Sequence, residues 1–188
     1  MVSFIDITTV IVAGLAAALD IKSRKIPNWL TLTVAATSFI GGFLLFVLNG
    51  DAQGGWQWLS FSCKGWLVGI SIFLIPFMLG GMGGGDVKLL GAIGALQGMG
   101  FVIETALFGA LWGGLMAVSA IILSKQHNIL KRFAFGLKLF ALTGGHAGKE
   151  FLLPDENNSE KKKLYVPYGV AIFLGVLTVH VIGVKLPL

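Results

Sequence analysis

Long apolar stretches recur along the chain and constrain its fold more than any other feature. Of its 188 residues, 55% are hydrophobic and only 12% are charged, with a mean hydropathy of +0.85. In soluble globular domains, about a quarter of the residues are charged. An apolar stretch of about 20 residues is long enough to cross the hydrocarbon of a bilayer as a helix. The sequence therefore predicts an all-α, polytopic membrane protein.

The apolar pattern predicts about six transmembrane helices, with the fourth short for a full crossing. Their approximate ranges are residues 4–20, 29–48, 65–80, 86–98, 101–123 and 165–184. The N-terminus lacks a basic region, so we interpret its apolar run as a first span and not as a cleaved signal peptide. We predict that residues 1–188 form a single integral-membrane domain.

The positive charges lie mainly beside the predicted spans. If the helices alternate in direction, twelve of the fourteen Lys and Arg residues fall on one side. The positive-inside rule makes that side cytoplasmic and places both termini outside. Loop 125–163 is predicted to be a basic cytoplasmic loop that begins with an amphipathic helix on the membrane surface. The lipid bilayer is thus the expected partner of these charges, and nucleic acid is not.

Four acidic residues lie in or near the predicted spans: Asp6, Asp20, Asp86 and Glu104. Ionisable residues are costly in a membrane and are candidates for function. Asp6 and Glu104 fall near external helix ends, where we expect water to solvate them. Asp20 ends the first span and Asp86 begins the fourth, both on the cytoplasmic side. Packing of two helices could bring these two carboxylates together at similar depth.

A close pair of carboxylates has a known chemical use. Two such groups in contact do not readily both ionise, so that the pair holds one proton. One carboxylate can then activate a water while its protonated partner polarises a carbonyl, which is the chemistry of an aspartyl peptidase. We therefore predict Asp20 and Asp86 as catalytic residues.

The other reactive side chains do not form a comparable arrangement. The single cysteine, Cys63, excludes a disulfide and a cysteine-rich zinc site. The three histidines, His127, His146 and His180, lack the spacing of metal ligands. No serine lies in a nucleophile elbow. We expect neither a metal nor another cofactor.

A glycine-rich segment, GGMGGGDVKLLG, comes directly before and around Asp86. Gly83, Gly84 and Gly85 would let the backbone approach an extended substrate peptide. The alternative is a turn followed by small-residue helix packing. Lys88 could tune Asp86, contact a substrate or extend to the membrane interface.

A second motif, DIKSRKIPNWLT, follows Asp20. Pro27 ends one helix and can begin the next, and Asn28 suits a turn or cap. Lys25 and its basic neighbours would anchor this loop at the inner surface. The alternative is an ordinary cytoplasmic loop in which Asp20 pairs with a nearby cation.

At these motifs, and at VPYGVAIFLG in the sixth span, the sequence resembles the type IV prepilin peptidases, which are GxGD aspartyl peptidases. The resemblance implies that Asp20 and Asp86 are catalytic. It also implies cleavage of the leader of a prepilin or pseudopilin, before its hydrophobic helix, at the cytoplasmic face of the bacterial inner membrane. Larger members also methylate the new N-terminus and carry a domain with paired CxxC motifs. With one cysteine, this sequence resembles the short, peptidase-only forms that serve Tad/Flp-type pili.

Two other functions fit part of the sequence. A small proton- or cation-coupled transporter would also contain buried carboxylates and a glycine-broken helix, although no matching pair of broken segments is found. A catalytically silent scaffold for pilus assembly would tolerate the loss of both acids.

Overall fold

The computed structural model describes residues 4–79, 82–123 and 167–183, and every regular element in these ranges is helical. The helices are α1 (Phe4–Ser23), α2 (Asn28–Ala36), α3 (Gly42–Leu48), α4 (Ala52–Met78), α5 (Gly84–Leu123) and α6 (Tyr168–Ile182). A π-helical turn, Thr37–Gly41, joins α2 to α3. The predicted all-α class is confirmed.

Four described segments are long and apolar enough to cross a membrane: Phe4–Ser23, Asn28–Leu48, Ala52–Met78 and Gly84–Ala120. Helix α6 is also apolar but has 15 residues. A multi-pass membrane protein is therefore supported, whereas the number of six passes stays a prediction. The predicted cytoplasmic loop 125–163, with its amphipathic helix, lies outside the described residues.

The chain forms two compact units. Residues 1–114 and 167–188 make up the first, and residues 115–166 make up the second, of which the structure describes only 115–123 at the end of α5. The prediction of a single domain over 1–188 stays a prediction. All contacts described below lie within the first unit.

Helix α5 is interrupted at Gly98, whose φ of 83° and ψ of −178° are not helical. As one straight helix, the segment Gly84–Ala120 would be about 55 Å long at ~1.5 Å per residue. The hydrocarbon of a bilayer is only about 30 Å thick. Gly98 falls at the predicted boundary between the ranges 86–98 and 101–123.

Contacts with α6 show that the chain reverses direction near this break. Asp86, before the break, acts electrostatically on Tyr168 at the start of α6. Phe101, just after it, packs edge-on against His180 at the far end of α6. Gly113 then lies against the Tyr168 ring again. The two parts of α5 therefore run in opposite directions along α6.

Helix α4 begins at Ala52, well before residue 65, where the third span was predicted to start. The Asp51 side chain caps it, accepting a hydrogen bond from the Gly54 N–H at 2.8 Å. The prediction was wrong here because Gln53, Gln57 and Lys64 lower the local hydropathy of a segment that is nevertheless helical.

Small residues let α4 pack closely on the first part of α5. A side chain at Gly65 or Gly69 of α4 would collide with the backbone around Gly94 or Leu90 of α5. Close backbone approach through glycine is a common way to pack membrane helices. This close packing brings the end of α4 and the beginning of α5 together, beside Asp86.

Buried Ser38, in the π-helical turn, links three helices. Its Oγ donates to the Ala95 carbonyl of α5 at 2.7 Å and lies 3.2 Å from the Ser62 Oγ of α4. Its carbonyl accepts a hydrogen bond from the Trp58 indole of α4 at 2.8 Å. These contacts fix the Asn28–Leu48 segment against α4 and α5.

Candidate active site

Asp20 lies in the last turns of α1 and is 3% exposed. Its Oδ2 accepts a hydrogen bond from the backbone N–H of Gly169 at 2.9 Å, in the first turn of α6. The N-terminus of a helix favours a negative charge through its dipole and its free N–H groups. The start of α6 therefore stabilises the Asp20 carboxylate.

Asp86 lies in the first turn of α5 and is 8% exposed. Its Oδ2 accepts a hydrogen bond from the Gly83 N–H at 3.2 Å, and its own N–H donates to the Gly83 carbonyl at 3.1 Å. Gly83 is exposed, so the polar edge of the site next to Asp86 reaches the surface. The glycine-rich segment thus holds Asp86 directly.

The two carboxylates, which come from distant parts of the sequence, face a common region. The charge of Asp20 acts on the Asp86 carboxyl group. Tyr168, the neighbour of the Gly169 that binds Asp20, lies within electrostatic range of Asp86. The structure therefore brings together the two acids that the sequence singled out.

The Tyr168 ring is held between two helices. It packs edge-on against buried Phe73 of α4, with ring centroids 5.6 Å apart, and it covers Gly113 of α5. The VPYG segment is part of a motif that the sequence shares with the family it resembles, but no site role was predicted for Tyr168 or Gly169. The feature that could have pointed to these residues is Pro-Tyr-Gly, which is typical of the start of a helix, and Pro167 is the N-cap of α6.

The connection between α1 and α2 lies against the start of α5. A Cβ at Gly85 would stand 3.0 Å from the Cβ of Ile26. Pro27 is extended (φ −68°, ψ 139°) at the N-cap of α2, as predicted for a residue between two helices. Lys25 is exposed in this connection. Thus the two sequence motifs contact each other.

Lys88 and Asn28 join these motifs through their side chains. The Lys88 Nζ donates a hydrogen bond to the Asn28 Oδ1 at 3.0 Å. Gly84, one turn earlier, contacts the Phe77 ring of α4. Lys88 therefore braces the α1–α2 connection against α5, a role that differs from the three that sequence analysis considered.

Asp6, near the start of α1, and Glu104, shortly after the break in α5, do not both match their expected environment. Glu104 was expected to be solvated, but it is only 3% exposed. Asp6 is partly buried, accepts a hydrogen bond from Gln97 Nε2 at 2.9 Å and lies 3.5 Å from His180 Nε2. The expectation for Glu104 was wrong because position along a helix does not reveal which face neighbouring helices cover.

Within residues 4–79, 82–123 and 167–183, no three His, Cys, Asp or Glu side chains group so that they could hold a metal ion.

Searches of curated proteins and of solved structures gave no match. The sequence model of the type IV leader peptidase family matches residues 7–118, a range that contains Asp20, Asp86 and both motifs. This range is more than half of the 188 residues. The chain therefore belongs to the type IV leader peptidase family.

Proposed function

We propose that the chain is an intramembrane aspartyl endopeptidase in which Asp20 and Asp86 form the catalytic pair. The observation that carries the proposal is the meeting of these two buried carboxylates beside the start of α6. Family membership supports a leader peptidase in general. The aspartic mechanism and the identity of the catalytic residues are our proposal.

The pair works as one unit that holds a single proton. The ionised carboxylate takes a proton from a water, whose oxygen attacks the carbonyl carbon of the scissile peptide bond. The protonated carboxyl group donates a proton to the carbonyl oxygen, which stabilises the tetrahedral intermediate. When the intermediate collapses, the C–N bond breaks and the leaving nitrogen takes a proton from the pair, while one hydroxyl group of the intermediate returns its proton to the pair as it becomes the carbonyl of the new carboxyl group. One proton remains on the two carboxylates for the next cycle.

The surroundings of the carboxylates fit a peptide substrate. Gly83 is exposed and bonded to Asp86, and a side chain there would stand 3.2 Å from the Asp86 Oδ2. Gly83 leaves the exposed edge of the site free of a side chain, so that an extended backbone can approach the carboxylates. Gly84 and Gly85 instead let the start of α5 pack against Phe77 and Ile26. We propose that Lys25, Pro27, Asn28 and Lys88 support this edge through the contact of the two motifs.

The substrate that we propose is a prepilin or pseudopilin, cut between its N-terminal leader and the following hydrophobic helix. We propose that this end of the helices lies at the cytoplasmic face of a bacterial inner membrane, which the positive residues that follow Asp20 support. The scissile bond would then lie at the membrane boundary, where the carboxylates are. Leader cleavage at this boundary leaves the hydrophobic helix in the bilayer.

The test is to co-express the chain with a candidate prepilin and to follow leader release by gel mobility and by the mass of the product. Asp20→Asn and Asp86→Asn should each abolish release while the protein remains in the membrane fraction. Asp51→Asn is a matched control, because asparagine also caps a helix and Asp51 lies at the start of α4. Full processing by either active-site variant refutes the proposal.

A further inference from the structure

The N-terminal half of α4 presents a polar stripe inside a predominantly apolar protein. Gln53, Gln57, Ser60 and Lys64 follow one another at intervals of three or four residues, and all four are exposed. Residues at such intervals lie on one face of a helix. The candidate active site uses none of these residues, which lie in the half of α4 away from Asp86.

Lys64 is an isolated charge within a membrane-length helix. It lies about 21 Å along α4 from Met78, at ~1.5 Å per residue. Among the residues that the structure describes, it has neither an acidic nor a hydrogen-bonding partner. A charged residue at such a position is a candidate for function by default.

The direction of the Lys64 side chain follows from helix geometry. Side chains of a helix point toward its N-terminus. Lys64 lines one cavity together with Ser60 and Gln57, which agrees with a side chain that runs along the stripe toward the start of α4. A lysine that extends in this way reaches the interface between hydrocarbon and headgroups.

A cavity of about 580 Å³ lies over this stripe. Trp56 and Phe61 form apolar parts of its wall, and Met99 and Gly100 close it just after the break in α5. The Phe61 ring packs directly on Gly98, so the reversal of α5 shapes the cavity floor. The site thus combines one cation, several amide and hydroxyl groups and an apolar wall.

We propose that this cavity binds the phosphate headgroup of an anionic phospholipid in the leaflet opposite the Asp20–Asp86 pair. The Lys64 ammonium neutralises the phosphate, and Ser60 and Gln57 supply hydrogen-bond donors. Trp56 and Phe61 pack against the glycerol and the first acyl carbons. Trp is common at this depth because its ring is amphipathic. The inference does not depend on peptidase activity.

The test uses the full chain in phosphatidylcholine vesicles that contain increasing fractions of dibrominated phosphatidylglycerol, whose bromines quench nearby indoles. The Trp56 signal is the difference in fluorescence between the wild type and Trp56→Phe. We expect Trp56 to select brominated phosphatidylglycerol over brominated phosphatidylcholine about fivefold, the effect of one lysine near an anionic lipid. Equal quenching by both lipids overturns the proposal.

Variants test whether the charge of Lys64 causes the preference for phosphatidylglycerol. Lys64→Gln should remove the preference, Lys64→Arg should keep it, and Lys22→Gln, which removes an exposed cation from α1, should leave it unchanged. A preference that survives Lys64→Gln contradicts the proposal. Loss of the preference in inorganic phosphate, but not in sodium chloride of equal ionic strength, shows a site for free phosphate and also contradicts it.

Discussion

The backbone N–H of Gly169 donates a hydrogen bond to the Asp20 Oδ2 at 2.9 Å, which joins the start of α6 to the end of α1. A Cβ built on Gly169 would stand 3.0 Å from the Asp20 Cβ and 3.1 Å from its Oδ2. These distances are shorter than most real Cβ contacts. Position 169 therefore controls where the Asp20 carboxylate lies.

The first prediction concerns Gly169→Ala. The added methyl group should push Asp20 away from its position, and we expect leader cleavage to fall by about tenfold or more, as overpacking costs ~1–3 kcal/mol. Cleavage rates of the purified variant measure the effect. Gly114→Ala is the control, because a Cβ at Gly114 meets nothing within 4 Å. Unchanged cleavage by Gly169→Ala contradicts the assigned geometry.

The second prediction concerns the pair Lys88 and Asn28. Lys88→Met and Asn28→Ala each remove the 3.0 Å hydrogen bond. Each should reduce cleavage by less than about tenfold, and the double variant should be no worse than the poorer single variant, because a hydrogen bond contributes ~0.5–1.5 kcal/mol. A double-mutant cycle on cleavage rates measures this coupling. If Lys88→Met abolishes cleavage while Asn28→Ala has no effect, Lys88 acts directly on the substrate.

The third prediction concerns the break in α5. Gly98→Ala places a side chain at a φ of 83° and against the Phe61 ring. We expect a lower melting temperature in detergent and less protein in the membrane, since this combination of φ and ψ is essentially restricted to glycine and costs another residue ~1–3 kcal/mol. The double variant Gly98→Ala with Phe61→Ala should recover only the part of the melting temperature that is lost through the collision of the new side chain with the Phe61 ring. A melting temperature equal to that of the wild type would show that the reversal does not need glycine.

The fourth prediction concerns orientation. In a Cys63→Ser background, which removes the only cysteine, a single cysteine is introduced by Asn49→Cys or by Ser23→Cys, at positions that are both exposed. An impermeant maleimide should label the Asn49→Cys variant in intact cells. It should label the Ser23→Cys variant only after permeabilisation, because the cations beside Ser23 favour the cytoplasm. The reverse labelling pattern would place Asp20 at the external face.

From spans expected to alternate in direction, we predicted that Asp20 and Asp86 lie at helix ends on the same side, and in the structure both acids lie near the start of α6. The sequence also located the break at Gly98, where the apolar pattern is interrupted. The contribution of Gly169 and Tyr168 could not be predicted in the same way. It depends on α6 packing antiparallel to α1, a contact between residues far apart in the chain.

The burial of Glu104 and the early start of α4 were also not predicted. Burial of Glu104 results from neighbouring helices, and hydropathy along a single helix carries no information about them. The early start of α4 was missed because its polar stripe, which includes Gln53 and Lys64, resembles a loop when only hydropathy is considered. Only the burial of Glu104 is a tertiary effect, because Gln53 and Lys64 are exposed on a polar face of α4.

The most direct test of the catalytic pair is the rate of leader release by the purified chain and its Asn variants. Residues that act as one unit are strongly non-additive. We predict that Asp20→Asn, Asp86→Asn and the double variant all fall to the same background, at least about a thousandfold below the wild type. A single variant that keeps a tenth of the wild-type rate, or a double variant well below both single variants, would contradict a shared catalytic role.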